Sequence, residues 1–344
     1  MEILPIVWFI LIAVLWIGYF VLEGFDFGVG MLLPILGKSE KERRVMINTI
    51  GPVWDGNEVW LLTAGGAIFA AFPEWYASLF SGLYIPLFLI LLALIVRGVA
   101  FEYRSKASTA ATRRKWDWCI IFGSFVPALV WGVGFANFVR GLPLDGNKIM
   151  DLTVGNFFGL FMPFALLGGI LTLTLFLMHG AIFISLKTTG DIRVRARALA
   201  GKVGIVAAVA MALFTVWTAI SFGNGILSWV CAILAIAAMV AALFFNSKDR
   251  EGLAFISSAV ATLALTASFF VAMWPNVIPS SLNPDWSLSI WDASSSSYTL
   301  TIMTVAAGVF TPIVLAYTAW TYWVFRKRIS VKNIPDPVDE TVTT

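Results

Sequence analysis

The chain has 344 residues, of which 59% are hydrophobic and only 12% are charged, and its mean hydropathy is +0.88. Soluble domains carry about 25% charged residues, so this composition excludes an ordinary soluble protein and indicates a protein that lies within a membrane. The formal net charge is only +3 and gives no indication of nucleic-acid binding.

Apolar runs long enough to span a bilayer, which takes about 20 residues in a helix, recur along almost the whole chain. Nine runs are predicted to be transmembrane helices: Pro5–Leu22, Trp54–Phe72, Tyr76–Val96, Trp116–Val139, Val154–Leu186, Ala200–Phe222, Ile226–Phe245, Leu253–Trp274 and Tyr298–Phe325. We therefore predict an all-α, multi-pass membrane protein in which residues 1–328 form a single transmembrane domain. Helices one to four and five to eight are expected to form two four-helix bundles, with the ninth helix peripheral to them.

The basic residues provide an independent indication of topology. If the helix count is nine, all but two of the 23 Lys and Arg residues lie on one side of the membrane, and the exceptions are Arg140 and Lys148. Basic residues favour the cytoplasmic side. This distribution predicts an N-terminus outside the cell and a cytoplasmic C-terminus, with residues 329–344 as a polar, disordered tail.

Two pairs of acidic residues interrupt the apolar pattern. Glu23 and Asp26 follow the first run, and Asp55 and Glu58 lie at the start of the second. The members of each pair are three residues apart, so they share one face of a helix, and the predicted topology places both pairs near the cytoplasmic surface. Ionisable groups at membrane depth commonly mark an ion or proton route. The four residues are therefore candidates for a proton path.

The alternative for both pairs is that they cap or solvate helix ends. This interpretation suits Asp55 and Glu58, because acidic residues stabilise a helix N-terminus. It suits Glu23 and Asp26 less well, because they would lie at the C-terminal end of the first helix unless that helix breaks at Gly24. The sequence leaves both interpretations open.

Two residues near these acids also have two interpretations. Arg97 follows the third run, where we favour a cytoplasmic anchor, and a buried ion pair with a carboxylate is the alternative. Trp54 could pack against a planar ring, although a chain with 15 tryptophans gives little support to any single assignment.

The chain contains one histidine, His179, in the fifth predicted helix. This histidine could pack as a hydrogen-bonded residue, relay a proton or bind a ligand. A single histidine cannot form a haem site with two histidine ligands or a histidine-rich metal site, so no metal site is predicted in this chain. Cys119 and Cys231 are interpreted as small buried hydrophobic residues.

Several motifs together identify a family. They are Gly24–Gly30 (GFDFGVG), Arg43–Trp60 (RRVMINTIGPVWDGNEVW), Thr63–Pro73 (TAGGAIFAAFP), Phe101–Lys106 (FEYRSK), Trp116–Trp118 (WDW), Gly123–Pro127 (GSFVP), Gly155–Phe158 (GNFF) and Trp291–Ser296 (WDASSS). This combination resembles subunit II of the cytochrome bd-type quinol oxidases. The resemblance extends from the first predicted helix to the ninth.

The resemblance implies a multi-pass subunit of the bacterial cytoplasmic membrane. It implies an enzyme that oxidises quinol and reduces oxygen to water, in which a related subunit I carries the b-type haems and the d-type haem. It further implies that this chain binds no haem by itself. Subunit I, small single-helix accessory subunits and membrane lipid are the partners that the resemblance suggests.

The resemblance also implies roles for individual residues. Asp55, in the WDGN motif, corresponds to the aspartate of the family's proposed proton path. Asp26 and Glu23 are further candidates, with Glu58 one helical turn beyond Asp55. Position 23 holds Glu where Asp is common in the family, which keeps the carboxylate. Trp54 is a candidate contact for the structural quinone that some members hold.

A proton-coupled transporter or channel is the competing class, because intramembrane acids and many glycines suit it equally well. A purely structural membrane partner is a third class. The absorption spectrum of the natively purified complex distinguishes them, since only the oxidase contains haem.

Overall fold

The computed structural model describes residues 3–150 and 154–335, and this part of the chain is mostly helical. Its helices are α1 (Ile3–Leu36), α2 (Glu40–Ile50), α3 (Trp54–Ala71), α4 (Pro73–Gly82), α5 (Tyr84–Arg104), α6 (Ala110–Arg140), α7 (Val154–Gly159), α8 (Pro163–Lys187), α9 (Asp191–Ser221), α10 (Gly225–Ser247), α11 (Glu251–Met273) and α12 (Ser297–Val324). Two short strands, β1 (Asn276–Ile278) and β2 (Leu288–Ser289), pair antiparallel in the loop before α12.

Hydroxyl side chains fix the start of three helices. Ser39 accepts a hydrogen bond from the backbone N–H of the third residue of α2, and Thr109 and Ser296 do the same for α6 and α12. Each bond satisfies one of the amides that a helix leaves without a partner in its first turn. The residue type at these positions therefore determines where the helices begin.

Eight helices are long and apolar enough to cross a membrane, namely α1, α5, α6 and α8 to α12. The second predicted span coincides with α3, which has 18 residues but a polar first turn, including Asp55, Asn57 and Glu58. Those polar residues lower the hydropathy of α3. By length and composition, the described residues thus contain eight spans where nine were predicted.

The first helix extends well beyond its predicted end. α1 continues without a break through Gly24 to Leu36, so the predicted end at Leu22 and the break at Gly24 are wrong. Glu23 and Asp26 lie inside this helix. Their side chains can be buried there because both have partners on other helices.

The glycines in this part of α1 serve close packing instead. At Gly28, an added Cβ would lie 2.8 Å from the Cα of Gly180 on α8 and nearer still to a backbone oxygen. Small residues allow membrane helices to approach this closely. The contact holds α1 against α8 along the stretch that carries the acidic residues.

Two other predicted spans are each divided between two helices. The third run is shared by α4 and α5, and the fifth run is shared by α7 and α8. Proline explains both breaks, because its ring clashes with the carbonyl four residues earlier and it has no N–H to donate. Pro86 ends α4 at Gly82, and Pro163 ends α7 at Gly159.

Helix α1 lies at the centre of the fold and packs against α3, α6, α8 and α11. On one side of it, α5 packs against α6; on the other, α8, α9, α10 and α11 pack in sequence. Helix α12 contacts mainly α1 and α3, and Leu300 is its one buried residue. Helix α12 is thus peripheral to the helices that pack around α1, whereas α1 and α6 also pack against α8, across the two predicted groups of four helices.

Part of the predicted tail is ordered. The N–H of Ile329 donates to the carbonyl of Lys187 at the end of α8, and Ile334 is buried. A short 3₁₀ turn at Val331–Asn333 separates these two contacts. The prediction of disorder is therefore wrong for residues 329–335, and residues 336–344 lie outside the described part of the chain.

Candidate functional site

The acidic residues of α1 lie in the interior of the fold. Glu23 and Asp26 are both fully buried. A buried carboxylate is costly unless it is paired and hydrogen-bonded, so the partners of these two side chains decide what they can do.

Arg97 is the partner of Glu23. It lies on α5, is fully buried, and its Nη2 contacts Glu23 Oε1 and, at 3.1 Å, Glu58 Oε2. Its guanidinium carbon lies 4.7 Å from the centre of the Phe27 ring, an arrangement that favours a cation. The interpretation of Arg97 as a cytoplasmic anchor is wrong, and the alternative of a buried ion pair is confirmed.

Asp26 has a neutral partner. Asn57, which is 1% exposed, donates from Nδ2 to Asp26 Oδ2 over 2.7 Å. Tyr322 on α12 in turn donates its hydroxyl to Asn57 Oδ1 over 2.8 Å. Neither Asn57 nor Tyr322 was predicted as a site residue, although Asn57 lies inside the motif that holds Asp55 and Glu58.

We call Glu23, Asp26, Asn57, Glu58 and Arg97 the acidic cluster. Its members come from α1, α3 and α5, and it contains three carboxyl groups and one guanidinium. Since burial strongly disfavours a charge without a counter-charge, this imbalance makes the cluster suited to take up a proton.

Each buried carboxyl group of the acidic cluster has one oxygen atom with a partner and one without. Among the described residues, Glu23 Oε2 and Asp26 Oδ1 have no hydrogen-bond partner, and the same holds for Nε and Nη1 of Arg97. Buried polar atoms normally have partners. Glu23 Oε2 and Asp26 Oδ1 are therefore the two atoms at which a proton can bind without displacing another bond.

Asp55 lies apart from this buried group. It is exposed, and its Oδ1 accepts a hydrogen bond of 2.8 Å from the N–H of Gly56. Glu58, one turn further along α3, has a side chain that is 24% exposed. Of the two acids, Asp55 thus lies at the surface and Glu58 reaches Arg97.

Trp54 packs on α5 beside the acidic cluster. Its ring centroid lies 5.0 Å from that of Phe101. A separate apolar cavity of about 370 Å³ lies between α1, α3, α4, α5 and α6, lined by Leu61, Gly65 and Ile90 among others, and Trp54 does not line it. The structure therefore brings Trp54 near the acidic cluster but not to this cavity.

His179 is fully buried and both of its ring nitrogens have partners. Nδ1 lies 2.7 Å from Ser258 Oγ, Nε2 lies 3.1 Å from the carbonyl oxygen of Val21, and the ring stacks on Phe255. Of the three interpretations of this histidine, the contacts support hydrogen-bonded packing. Within residues 3–150 and 154–335, no group of three or more potential metal ligands is found.

A second ionic group fixes the ends of α2, α5 and α6. Arg104 forms two hydrogen bonds with Glu40, of 2.9 and 3.0 Å, and its Nε lies 2.5 Å from Asp117 Oδ1. Arg43 approaches Asp117 to 3.5 Å. These pairs hold α5, the helix that carries Arg97, against α2 and α6.

Charged residues outside the spans are also paired. Partial burial of Glu42 acts to raise its pKa, but hydrogen bonds from Arg195 and from the backbone of Lys38 hold that pKa below its ordinary value. On the opposite face, the hydrogen bond from Lys148 lowers the pKa of Asp292. A lowered carboxyl pKa means that these contacts stabilise the fold at neutral pH and that the stabilisation is lost as the pH falls through the lowered value.

Comparison with known proteins gives concordant results. The sequence profile of the family described as cytochrome bd terminal oxidase subunit II matches residues 4–325. The chain is 44% identical over 331 residues to the cytochrome bd ubiquinol oxidase subunit 2 of Bacillus subtilis strain 168, covering 95% of this chain and 97% of the relative. It is 39% identical over 367 residues to the cytochrome bd-I ubiquinol oxidase subunit 2 of Escherichia coli strain K12, covering 97% of each.

A solved structure supports the fold. The structure of bd oxidase from Geobacillus thermodenitrificans matches with a TM-score of 0.76 over 95% of this chain and 100% of the other chain, at 18% sequence identity. At this identity the likeness shows a shared fold.

Proposed function

Because this chain belongs to the subunit II family of cytochrome bd terminal oxidases, we propose that its acidic cluster forms part of a path that carries protons inward from the cytoplasm. The chain is a subunit of a quinol:oxygen oxidoreductase. Reduction of oxygen to water consumes protons, and carboxylates and ordered water can carry them where hydrocarbon cannot. This membership favours the oxidase over the transporter or channel considered as an alternative.

One observation carries the proposal: a partly exposed carboxylate and a buried carboxylate bind the same guanidinium. Glu58 and Glu23 both contact Nη2 of Arg97. A proton entering at Asp55 passes to Glu58, one turn away, and then to Glu23 Oε2 and Asp26 Oδ1. From there it continues toward the partner subunit, where oxygen is reduced.

We further propose that α3 also spans the membrane, which brings the number of spans to nine, and that the N-terminus lies outside. Trp54, the first residue of α3, packs on Phe101 near the end of α5, whereas the carbonyl of Ala71, its last residue, accepts from the N–H of Ser295 in the loop before α12. These contacts join α3 to opposite ends of the helical bundle. The basic loops then face the cytoplasm, as the positive-inside rule requires.

The partner in this proposal is subunit I, which holds the b-type and d-type haems, within the bacterial cytoplasmic membrane. Helices α3, α5 and α12 expose large apolar side chains such as Leu62, Ile95 and Phe310. These surfaces suit contact with the partner, with small single-helix accessory subunits or with lipid. A structural quinone beside Trp54 stays a prediction.

This chain is proposed to bind no haem iron. The donor set does not fit a haem, because both nitrogens of His179 are already bound and the ring is enclosed by Val21, Ser258 and Phe255. We therefore place the haems and the oxygen chemistry in the partner and assign to this chain only the binding and movement of protons.

Replacement of His179 by glutamine is expected to leave the haem content of the purified complex unchanged. An amide can hydrogen-bond to the hydroxyl of Ser258, whereas it is not a haem-iron ligand of the usual kinds. Reduced-minus-oxidised absorption spectra, normalised to protein, provide the measurement. Loss of one haem from an otherwise assembled complex would contradict the assignment.

Replacement of Asp55 by asparagine is expected to slow oxygen consumption by about tenfold or more, since proton transfer by a positioned side chain contributes roughly 10²–10⁴-fold and water can replace part of a surface group's role. Asparagine caps a helix about as well as aspartate, so a capping role predicts normal turnover. Oxygen consumption per haem is the measurement.

Asp191→Asn is the matched control, because Asp191 is also an exposed acid in the first turn of a helix. It should retain wild-type turnover. If Asp55→Asn assembles fully and also turns over at the wild-type rate, the proton entry does not lie at Asp55, and the family assignment is unaffected.

A further inference from the structure

One side chain of the peripheral helix reaches the acidic cluster. Tyr322 lies near the end of α12, a helix whose residues are mostly exposed, yet its hydroxyl donates to the buried amide of Asn57. At the other end of α12, Trp8 donates to the hydroxyl of Thr304 over 3.1 Å. Helix α12 thus makes few contacts with the other helices, and one of its side-chain hydrogen bonds is to Asn57.

We propose that Tyr322 is a positioning residue for proton transfer, which acts by fixing the orientation of the Asn57 amide toward Asp26. The inference rests on the proposed proton path and adds to it a residue more than two hundred positions away in sequence. Tyr322 touches Asn57 and acts on Asp26 only through it.

The orientation of the Asn57 side chain matters because the two ends of an amide differ. The oxygen of an asparagine side chain accepts hydrogen bonds and its nitrogen donates them. The hydroxyl of Tyr322 donates to Oδ1 of Asn57, and Nδ2 faces Asp26, where it donates to Oδ2 over 2.7 Å. Oδ1 of Asp26 then remains as the atom that takes up and releases the proton.

Without Tyr322, the amide can turn round. Its oxygen would then face Asp26, and a protonated Asp26 would donate its proton to that oxygen in a hydrogen bond instead of passing it on. The backbone carbonyl of Leu22, which lies 3.5 Å from Asn57 Nδ2, is too weak a contact to hold the amide alone. The hydrogen bond from Tyr322 therefore stabilises the observed orientation, in which Oδ1 of Asn57 faces away from Asp26.

The test is Tyr322→Phe in the complete complex. Phenylalanine keeps the ring and removes only the hydroxyl. We expect kcat for oxygen consumption to fall by roughly threefold to tenfold, the range that corresponds to one hydrogen bond of ordinary strength, with haem content and the KM for quinol unchanged. Tyr317→Phe is the matched control, because Tyr317 lies on the same helix and is 65% exposed, and it should leave kcat unchanged.

A double variant distinguishes positioning from a structural role. If Tyr322 acts through Asp26, Tyr322→Phe should cause no further loss in the Asp26→Asn background, whereas independent effects would multiply. A wild-type kcat for Tyr322→Phe beside a slowed Asp26→Asn overturns the positioning role alone, as does a full further loss in the double variant. Wild-type kcat for both single variants overturns the proton path itself.

Discussion

Replacement of Arg97 by leucine is expected to prevent assembly of the complex. Glu23 would keep its buried position but lose its counter-charge, and Glu58 would lose the same partner. Removal of one member of a buried ion pair costs about 3–5 kcal/mol. That is a large fraction of the total stability of a typical protein, about 5–15 kcal/mol.

The measurement is the yield of haem-containing complex and its thermal unfolding temperature. Arg114→Leu provides the control, because Arg114 is also on the basic side of the protein but is exposed; it should assemble normally. A complex with Arg97→Leu that forms in normal yield and unfolds at the wild-type temperature would show that the pair does not stabilise the fold.

A second substitution should partly reverse the defect. Glu23→Gln combined with Arg97→Leu removes both charges of the buried Glu23–Arg97 pair, so the double variant should be more stable than Arg97→Leu alone. Glu58, whose side chain is 24% exposed, can be solvated in that background. An additive loss would mean that Arg97 acts through its packing on Phe27 and not through its charge.

The apolar pattern predicted most helices because length and hydropathy are local properties. The run Leu253–Trp274 corresponds to α11 (Glu251–Met273), and the run Ile226–Phe245 corresponds to α10 (Gly225–Ser247). The prediction failed at α1, where two acids suggested a helix end. A charge ends an apolar run in sequence, but it does not end a helix when its counter-charge comes from another helix.

The site could be predicted only where its residues share a motif. Asp55 and Glu58 are neighbours on α3, and their spacing alone placed them on one face. Arg97 lies 74 residues from Glu23, and Tyr322 lies 265 residues from Asn57. A single sequence does not indicate which distant helices touch, so the choice between anchor and ion pair for Arg97 required the packing.

Replacement of Asp26 by asparagine is expected to reduce turnover by about a hundredfold while the complex still assembles. The new amide can accept the hydrogen bond that Asn57 now donates to Asp26, so the packing is conserved. It cannot bind and release a proton, and general acid–base groups contribute roughly 10²–10⁴-fold to rates. Asp26 is thus a cleaner test than Glu23, whose replacement also disturbs Arg97.

Two measurements on the Asp26→Asn complex separate proton supply from other defects. Oxygen consumption per haem gives the turnover, and a pH-indicator dye in a stopped-flow experiment gives the rate of proton uptake when reduced complex meets oxygen. Both should slow together. Asp117→Asn is the contrasting control: Asp117 is also buried and bonded to Arg104, so its loss should lower stability but leave turnover per haem unchanged. Fast proton uptake in Asp26→Asn would contradict the proposal, because it would show that protons reach the oxygen chemistry without passing through this carboxyl.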